Sequence, residues 1–133
     1  CFVLQPRGTT GYCHRIICAQ DYSAVTAACM MVKRSAFEEV GGLTEELAVA
    51  FNDIDFCMKL RTAGYLIVYN PYAELYHYES KSRGLEDTPE KVARFNKEIQ
   101  IFERRWPDIM RDGDPYYNPN LTLKSQDFSL KRI

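Results

Sequence analysis

Asp53 is the residue whose type and position in this sequence best suit chemistry. It precedes Phe56, Cys57 and Leu60 by three, four and seven residues, so it extends the apolar stripe of a predicted helix to the helix N-terminus. A carboxylate there faces inward, the helix dipole favours its ionised form, and an ionised inward carboxylate is what a general base requires. The alternative is an acidic first-turn residue that only complements the dipole, and periodicity alone favours that alternative by about two to one.

Two further candidates lie at the polar loop that follows a predicted strand. His77 closes that strand, where a histidine can ligate a metal or contact a phosphate, although a half-exposed surface histidine is the commoner case. Arg83 lies within the loop, where a guanidinium can pair with a phosphate. The competing interpretation of Arg83 is a solvated loop arginine, which is again commoner.

Two Asp-x-Asp strings could in principle hold a divalent cation through paired carboxylates. Asp53 and Asp55 lie on one predicted helix, where side chains two residues apart point in different directions. Asp55 also stands four residues before Lys59, which predicts a structural ion pair. Asp112 and Asp114 flank a glycine in a turn sequence. Neither string by itself predicts a metal site.

The elements that must position these residues follow from the spacing of apolar side chains. The first is a strand over 25–32 that is buried on both faces. A short helix follows, which begins at a capping box of Ser35 and Glu38 and ends at Gly41 and Gly42. After it come a helix from Asn52 to Gly64, a strand over 66–69, an alternating strand over 73–78 and a long helix from Thr88 to Pro107. Glu98 is predicted on the exposed side of the long helix, and the tail is predicted to run extended over the surface. This order is typical of an α/β protein.

Length and composition exclude several classes of protein. The 133 residues amount to one domain, and 46% hydrophobic with 26% charged residues argues against disorder. A net charge of -1 disfavours a non-specific nucleic-acid binder, and the apolar run over 24–32 is too short for a transmembrane segment. Five cysteines with no Cys-x-x-Cys pair predict reduced thiols in a cytosolic compartment.

An ordered series of motifs resembles the C-terminal half of bacterial family 2 glycosyltransferases, which are nucleotide-sugar enzymes with a GT-A fold. The resemblance rests on residues 24–34, 40–46, 51–61, 63–65, 76–80 and 82–84. The tail over 114–121 and 127–130 is similar to a branch of that family that acts in polysaccharide and O-antigen assembly. Each motif alone is weak, whereas the ordered set covers nearly the whole chain.

The resemblance implies roles for four residues on the acceptor side. Asn52 and Asp53 match the family's Glu-Asp motif, which makes Asp53 the base that deprotonates the acceptor hydroxyl. Asn52 would contact the acceptor, although asparagine stands where the family has glutamate. Gly41 and Gly42 match a turn that lines the acceptor side.

The resemblance also implies roles on the diphosphate side. His77 matches a histidine that completes the metal and diphosphate site in several members. Ser82 and Arg83 fall in the loop that closes over the diphosphate. The implied cofactor of the full-length enzyme is a divalent metal, Mg or Mn, with none certain in this chain alone. The implied partners are a nucleotide-diphosphate sugar and a glycan acceptor.

The implied fold is the C-terminal portion of a Rossmann-like GT-A domain, a mixed sheet flanked by helices, with the N-terminal nucleotide-binding half absent. We therefore expect residues 1–133 to form a single incomplete domain, with a loop-rich lead-in over 1–23, an acceptor-side core over 24–106 and an extended tail over 107–133. The opening Cys1 in place of Met fits that expectation. Such a fragment would be inactive alone, would self-associate through its unpaired sheet edge, and would lie in the cytoplasm or at the inner face of the plasma membrane through its parent protein.

Three functions stay open at this point. The first is an inverting transferase fragment in which a single displacement at the anomeric carbon accompanies proton transfer to Asp53. The second is a non-catalytic carbohydrate-binding or assembly module, because nine Tyr and one Trp could stack on sugars. The third is a retaining transferase of similar fold.

Overall fold

The computed structural model describes residues 6–76, 88–125 and 127–132, so His77, Ser82 and Arg83 lie outside the described residues. Short 3₁₀ turns occur at Tyr12–His14 and Ala27–Cys29. The strands and helices are β1 (Gln20–Tyr22), α1 (Arg34–Glu39), α2 (Asn52–Thr62), β2 (Ile67–Tyr69), α3 (Pro89–Arg105) and α4 (Pro107–Asp112). The described chain is therefore a mixture of helices and strands, as the spacing of apolar residues predicts.

The sheet of the described residues has two antiparallel strands. Tyr22 of β1 pairs with Ile67 of β2, and Gln20 pairs with Tyr69. The strand predicted over 66–69 is confirmed, whereas β1 lies in the region predicted as a loop-rich lead-in. The alternating strand predicted over 73–78 is wrong for residues 73–76, which are exposed and form no strand.

The strand predicted over 25–32 is also wrong. Thr26 instead caps a 3₁₀ turn over Ala27–Cys29, because its hydroxyl oxygen accepts a hydrogen bond from the Ala28 N–H at 3.4 Å. The segment that follows is extended, yet no described strand pairs with it, and Met31 is 99% exposed. An apolar run needs a neighbouring strand to become part of a sheet, and the described residues supply none beside this run.

The short helix and its glycine end are confirmed, but the capping box is not. Lys33 occupies the N-cap of α1 and makes no side-chain cap, so Ser35 already lies inside the helix. Gly41 and Gly42 follow the helix with φ of 74° and 65°, a backbone conformation that glycine adopts without steric cost.

Alanine substitutions in this turn are expected to separate backbone strain from steric conflict. Gly41→Ala places its Cβ in open space and should cost only about 1 kcal/mol of unfolding free energy for a left-handed alanine. A Cβ on Gly42 would lie 2.8 Å from the Phe37 ring, so Gly42→Ala should cost about 1–3 kcal/mol more. Urea unfolding of the two variants measures the difference, and equal stabilities would contradict the packing of Phe37 under Gly42.

The main core forms around α2, as its apolar stripe predicts. Phe56, Cys57 and Leu60 are buried together with Ala36 of α1 and Ile67 of β2. Gly64, with a φ of 89°, follows the end of α2. The inward face of α2 is therefore the one that carries Phe56, Cys57 and Leu60, and it packs against α1 and β2.

The long helix α3 begins and ends where its residues predict. The Thr88 side chain accepts a hydrogen bond from the Lys91 N–H at 3.4 Å, and Pro89 occupies the first helical position. Trp106 lies between α3 and α4, a short helix that begins at Pro107 and that the sequence pattern does not predict. The predicted position of Glu98 on the exposed side of α3 is wrong, because only 3% of this residue is exposed.

The tail after α4 packs on the lead-in segment instead of only running over the surface. Phe128 stacks on Tyr12 with ring centroids 4.7 Å apart, and Leu121 and Leu130 form an antiparallel bridge. Ser23 donates a hydrogen bond to Asp114 Oδ1 at 2.5 Å. The tail therefore contacts the first part of the described chain through a ring stack and a hydrogen bond.

Candidate functional site

Asp53 lies half-buried in the first turn of α2 and is held by two backbone N–H groups. Its Oδ2 accepts a hydrogen bond from the Ala27 N–H at 3.1 Å, and its Oδ1 accepts one from the Ile54 N–H at 2.9 Å. The first contact reaches 26 residues back to the 3₁₀ turn. The carboxylate therefore faces the segment that α2 packs against, and each oxygen keeps a lone pair for a further partner.

Cys57 lies on the same face of α2 as Asp53 and contacts the same upstream segment. The Cys57 thiol lies one turn further along α2 and contacts the Val25 carbonyl oxygen at 3.8 Å. Burial raises the pKa of Cys57 above its usual range, and the negative charge of Asp53 raises it further. Asp53 and Cys57 therefore both contact the segment over 25–27, and the catalytic role of Asp53 stays a prediction.

The backbone that leads into α2 adopts a conformation that is rare for a bulky residue. Phe51, directly before Asn52, has a φ of 64° in the left-handed region. Its ring packs on two rings of α3, Phe95 at 5.6 Å and Phe102 at 5.4 Å between centroids. These contacts fix the place where α2 begins, and Asn52 lies half-buried at its first position.

Asp55 joins α2 to the end of α3 through a buried network. Its side chain is 0% exposed. Its Oδ1 accepts hydrogen bonds from Arg105 Nε at 2.8 Å and Trp106 Nε1 at 2.9 Å, and its Oδ2 accepts one from Thr44 Oγ1 at 2.6 Å. Burial alone would raise the pKa of Asp55, but the hydrogen bonds from Thr44, Arg105 and Trp106 and the Arg105 charge outweigh it and hold this pKa below its usual value. The predicted structural role of Asp55 is confirmed, with Lys59 Nζ at 3.7 Å as a weaker partner than Arg105.

The glycine turn connects to α2 through Lys59 and not through Asp53. Lys59 Nζ donates hydrogen bonds to the Gly42 carbonyl oxygen and, at 3.3 Å, to Thr44 Oγ1. Gly41 and Gly42 therefore lie beside the Asp55 side of the helix. Among the four predicted acceptor-side residues, Asn52 and Asp53 adjoin one another in the first turn of α2, whereas the two glycines contact that helix through Lys59.

Glu98 is the residue of this region that sequence reasoning missed. Its Oε2 accepts a hydrogen bond from the Ala50 N–H at 2.8 Å, and its Oε1 accepts one from the Val49 N–H at 3.3 Å. A signal was present, because Glu98 stands three residues before Ile101 and four before Phe102, both buried. A charged residue on the apolar face of a helix indicates a buried carboxylate with specific donors.

The described carboxylates do not converge on a cation. Asp53 points to Ala27, whereas Asp55 points to the end of α3. In the other Asp-x-Asp string, Asp112 pairs with Arg111 at 2.8 Å. Over the described parts of the chain, no group of three His, Cys, Asp or Glu side chains could hold a metal ion. The described residues therefore do not fit a divalent metal site, and His77 lies outside them.

An apolar cavity of about 270 Å³ lies further along the same face of α2. The lining residues come from the segment over 25–33, from Ala36, from Cys57 and Leu60, and from residues 65–68. Asp53 does not line this cavity, so the candidate base stands at a separate place near the helix N-terminus.

Comparison with known proteins points to a glycosyltransferase family, through the names of two relatives. Over 113 residues, the chain is 34% identical to the "O-antigen biosynthesis protein RfbC" of Myxococcus xanthus, covering 85% of the chain and 8% of that protein. Over 78 residues, it is 37% identical to the "N-acetylglucosaminyl-diphospho-decaprenol L-rhamnosyltransferase" of Mycobacterium tuberculosis, covering 59% of the chain and 25% of that protein. The first name states O-antigen biosynthesis and the second states rhamnosyl transfer, each of the relative that carries it.

A further relative is more similar in sequence, but its name states no function. The chain is 56% identical over 129 residues to "Uncharacterized protein y4gI" of Sinorhizobium fredii, covering 96% of the chain and 14% of that protein. The chain thus spans between 8% and 25% of the length of these relatives. No family model matches the chain, and no solved structure matches it. Among the described helices, none is long and apolar enough to cross a membrane.

Proposed function

We propose that this chain forms the acceptor-side half of a GT-A glycosyltransferase of family 2, which transfers a sugar from a nucleotide donor to a growing cell-surface polysaccharide or O-antigen-type glycan. The observation that carries the proposal is Asp53, a half-buried carboxylate oriented by two backbone N–H groups at a helix N-terminus. The relatives named for O-antigen synthesis and rhamnosyl transfer support the same class of reaction. The donor site is proposed to lie in the complete protein outside this chain, on the cytoplasmic side.

The proposed reaction is one inverting displacement. The acceptor hydroxyl oxygen attacks the anomeric carbon, the bond from that carbon to the diphosphate oxygen breaks, and the nucleoside diphosphate leaves with the electron pair. Asp53 takes the acceptor proton on a carboxylate oxygen as the new bond forms. The N–H groups of Ala27 and Ile54 donate to Oδ2 and Oδ1 and hold the carboxylate in one orientation, so alignment with the acceptor needs no search over side-chain conformations.

The other predicted site residues enter the proposal in different ways. Asn52, at the first position of α2, is proposed to contact the acceptor beside Asp53. Gly41 and Gly42 are proposed to line the acceptor side, although in the structure they adjoin the Lys59 side of α2. Roles for Ser82 and Arg83 at the diphosphate, and for His77 and a magnesium or manganese ion, stay predictions from the resemblance alone.

A transfer assay on the complete protein that contains this sequence tests the proposed function. The protein is incubated with a panel of nucleotide sugars and lipid-linked or oligosaccharide acceptors, and release of nucleoside diphosphate is measured together with the product. Sugar-dependent release with an inverted anomeric configuration is the expected result. A retained configuration would assign a retaining transferase, and glycan binding without any transfer would assign a non-catalytic carbohydrate-binding module.

We also propose that the isolated 133-residue chain associates with itself through apolar surface near β2. Met31, Leu66 and Val68 are 99%, 66% and 58% exposed, and all three border the apolar cavity. Apolar side chains that are exposed together favour association because their burial removes them from water. Sedimentation equilibrium should show a mass that rises with concentration, and Val68→Lys should lower it. A strictly monomeric chain at high concentration would contradict the proposal.

A further inference from the structure

Glu98 is a buried carboxyl side chain to which the proposed reaction assigns no role. It is 3% exposed and lies on α3, away from the helix that carries Asp53. Both carboxylate oxygens accept backbone hydrogen bonds, from Val49 and Ala50. Burying a carboxylate carries a high desolvation cost. The side-chain conformation in which both oxygens accept hydrogen bonds is therefore strongly preferred.

The two N–H groups that Glu98 holds belong to the chain that leads directly into α2. Ala50 is followed by Phe51, which has the left-handed φ of 64°, and Asp53 comes two residues after that. A bulky residue keeps this conformation only where its surroundings enforce it. Two sets of contacts enforce it here, and both come from α3: the Phe51 ring packs on Phe95 and Phe102, and Glu98 holds the peptide N–H groups just before it.

We infer that Glu98 is a positioning residue for the proposed base. By fixing the backbone at Val49 and Ala50, Glu98 maintains the left-handed turn at Phe51 and so sets the direction in which the first turn of α2 presents Asp53. The inference rests on the proposed function, because it assigns Glu98 a role only if Asp53 takes the acceptor proton. Glu98 itself touches neither substrate.

The test compares Glu98→Gln with a matched glutamate substitution in the complete protein. Glutamine keeps the size of the side chain but presents an NH₂ group to one of the two N–H donors, so one hydrogen bond is lost. Because displacing a reacting group by about 1 Å can cost about 100-fold, kcat should fall by at least about tenfold, with acceptor and donor KM changed by less than about threefold. Glu103→Gln, on the exposed side of α3, should leave both constants unchanged.

Hydrogen exchange gives a second readout that does not depend on activity. The amides of Val49 and Ala50 should exchange at least about tenfold faster in Glu98→Gln, while amides of the α2 core keep their protection. If Glu98→Gln fails to fold, Glu98→Asp, which keeps the charge but reaches less far, is measured in the same way.

The outcomes separate this inference from the proposed function. If Asp53→Asn abolishes transfer and Glu98→Gln lowers only the melting temperature, with kcat of the folded enzyme unchanged, Glu98 is merely structural and the inference is overturned. If Asp53→Asn transfers sugar as the wild type does, the proposed function fails, and the assignment of Glu98 fails with it. A fall in kcat for both variants, with faster exchange at Val49 and Ala50, supports the inference.

Discussion

Replacing Asp53 with asparagine is expected to lower kcat for sugar transfer in the complete protein by about 100-fold to 10,000-fold, the usual contribution of a general base. Asparagine has the shape of aspartate, and its carbonyl oxygen can still accept a hydrogen bond from Ala27 or Ile54. It cannot take up the acceptor proton at neutral pH. The loss should therefore fall on the chemical step, and donor binding should persist.

Steady-state kinetics with a saturating nucleotide sugar, together with calorimetric titration of the donor, measure the two parts of this expectation. Asp108→Asn is the matched control, because Asp108 is a first-turn aspartate of α4 whose side chain is 80% exposed. It should transfer sugar at the wild-type rate. Unchanged turnover in Asp53→Asn, with the protein folded, would remove Asp53 from the proposed mechanism.

Local sequence signals were sufficient for the elements that depend on residues close in the chain. Thr88 and Pro89 define the beginning of α3 through a side-chain cap and a fixed φ, and Pro107 ends it. The spacing of Phe56 and Leu60 gives the buried face of α2. Because these signals act within one or two turns, no knowledge of the tertiary structure was required, and the place of Asp53 on that face could be predicted with them.

The errors concern contacts between residues far apart in the sequence. The apolar run over 25–32 has the composition of a buried strand, but a strand also needs a hydrogen-bonding neighbour, which periodicity does not reveal. Conversely, the polar residues Gln20 and Asp21 form a strand because residues almost fifty positions later pair with them. The predicted exposure of Glu98 is wrong for the same reason, since its donors Val49 and Ala50 lie 49 and 48 residues away.

The predicted site shows the same division. The i,i+4 pair of Asp55 and Lys59 could be predicted, yet Arg105 and Trp106, 50 and 51 residues away, contact Asp55 at shorter distances than Lys59 does. Charge pairs that cross the fold depend on the packing of α3 against α2, which no local pattern encodes. The sequence therefore predicted which residue faces inward, and the structure adds the residues that hold it in place.

Asp55→Ala is expected to lower the free energy of unfolding by about 3–5 kcal/mol, the usual cost of breaking a buried ion pair by removing one partner. The substitution removes the acceptor of three hydrogen bonds and leaves the Trp106 N–H and the Thr44 hydroxyl without this partner. Lys59, whose side chain is 16% exposed, also loses a negative charge nearby. Arg105 is 36% exposed and can turn to water, which limits the total.

Urea unfolding of the 133-residue chain at several pH values measures how much free energy of unfolding Asp55→Ala loses. The pH dependence shows whether that loss comes from the charge of Asp55. Because the pKa of Asp55 in the folded chain lies below its usual 3.8, the folded state binds fewer protons than the unfolded state. The stabilisation is therefore complete above about pH 5 and is lost as pH falls through 3.8 and then through the lower folded pKa. The gap between wild type and Asp55→Ala should narrow over that range, and a gap independent of pH would contradict the ionic network.

Asp53→Asn is the matched control for Asp55→Ala, because both aspartates lie in the first turn of α2. Asp53 is held by two backbone N–H donors, so its substitution by asparagine should cost less than about 1.5 kcal/mol. The two substitutions should then have different effects. Asp53→Asn should abolish transfer with little loss of stability, whereas Asp55→Ala should mainly lower the free energy of unfolding. Such a separation is expected if the helix was selected to present one carboxylate to a substrate while a second carboxylate anchors it to α3.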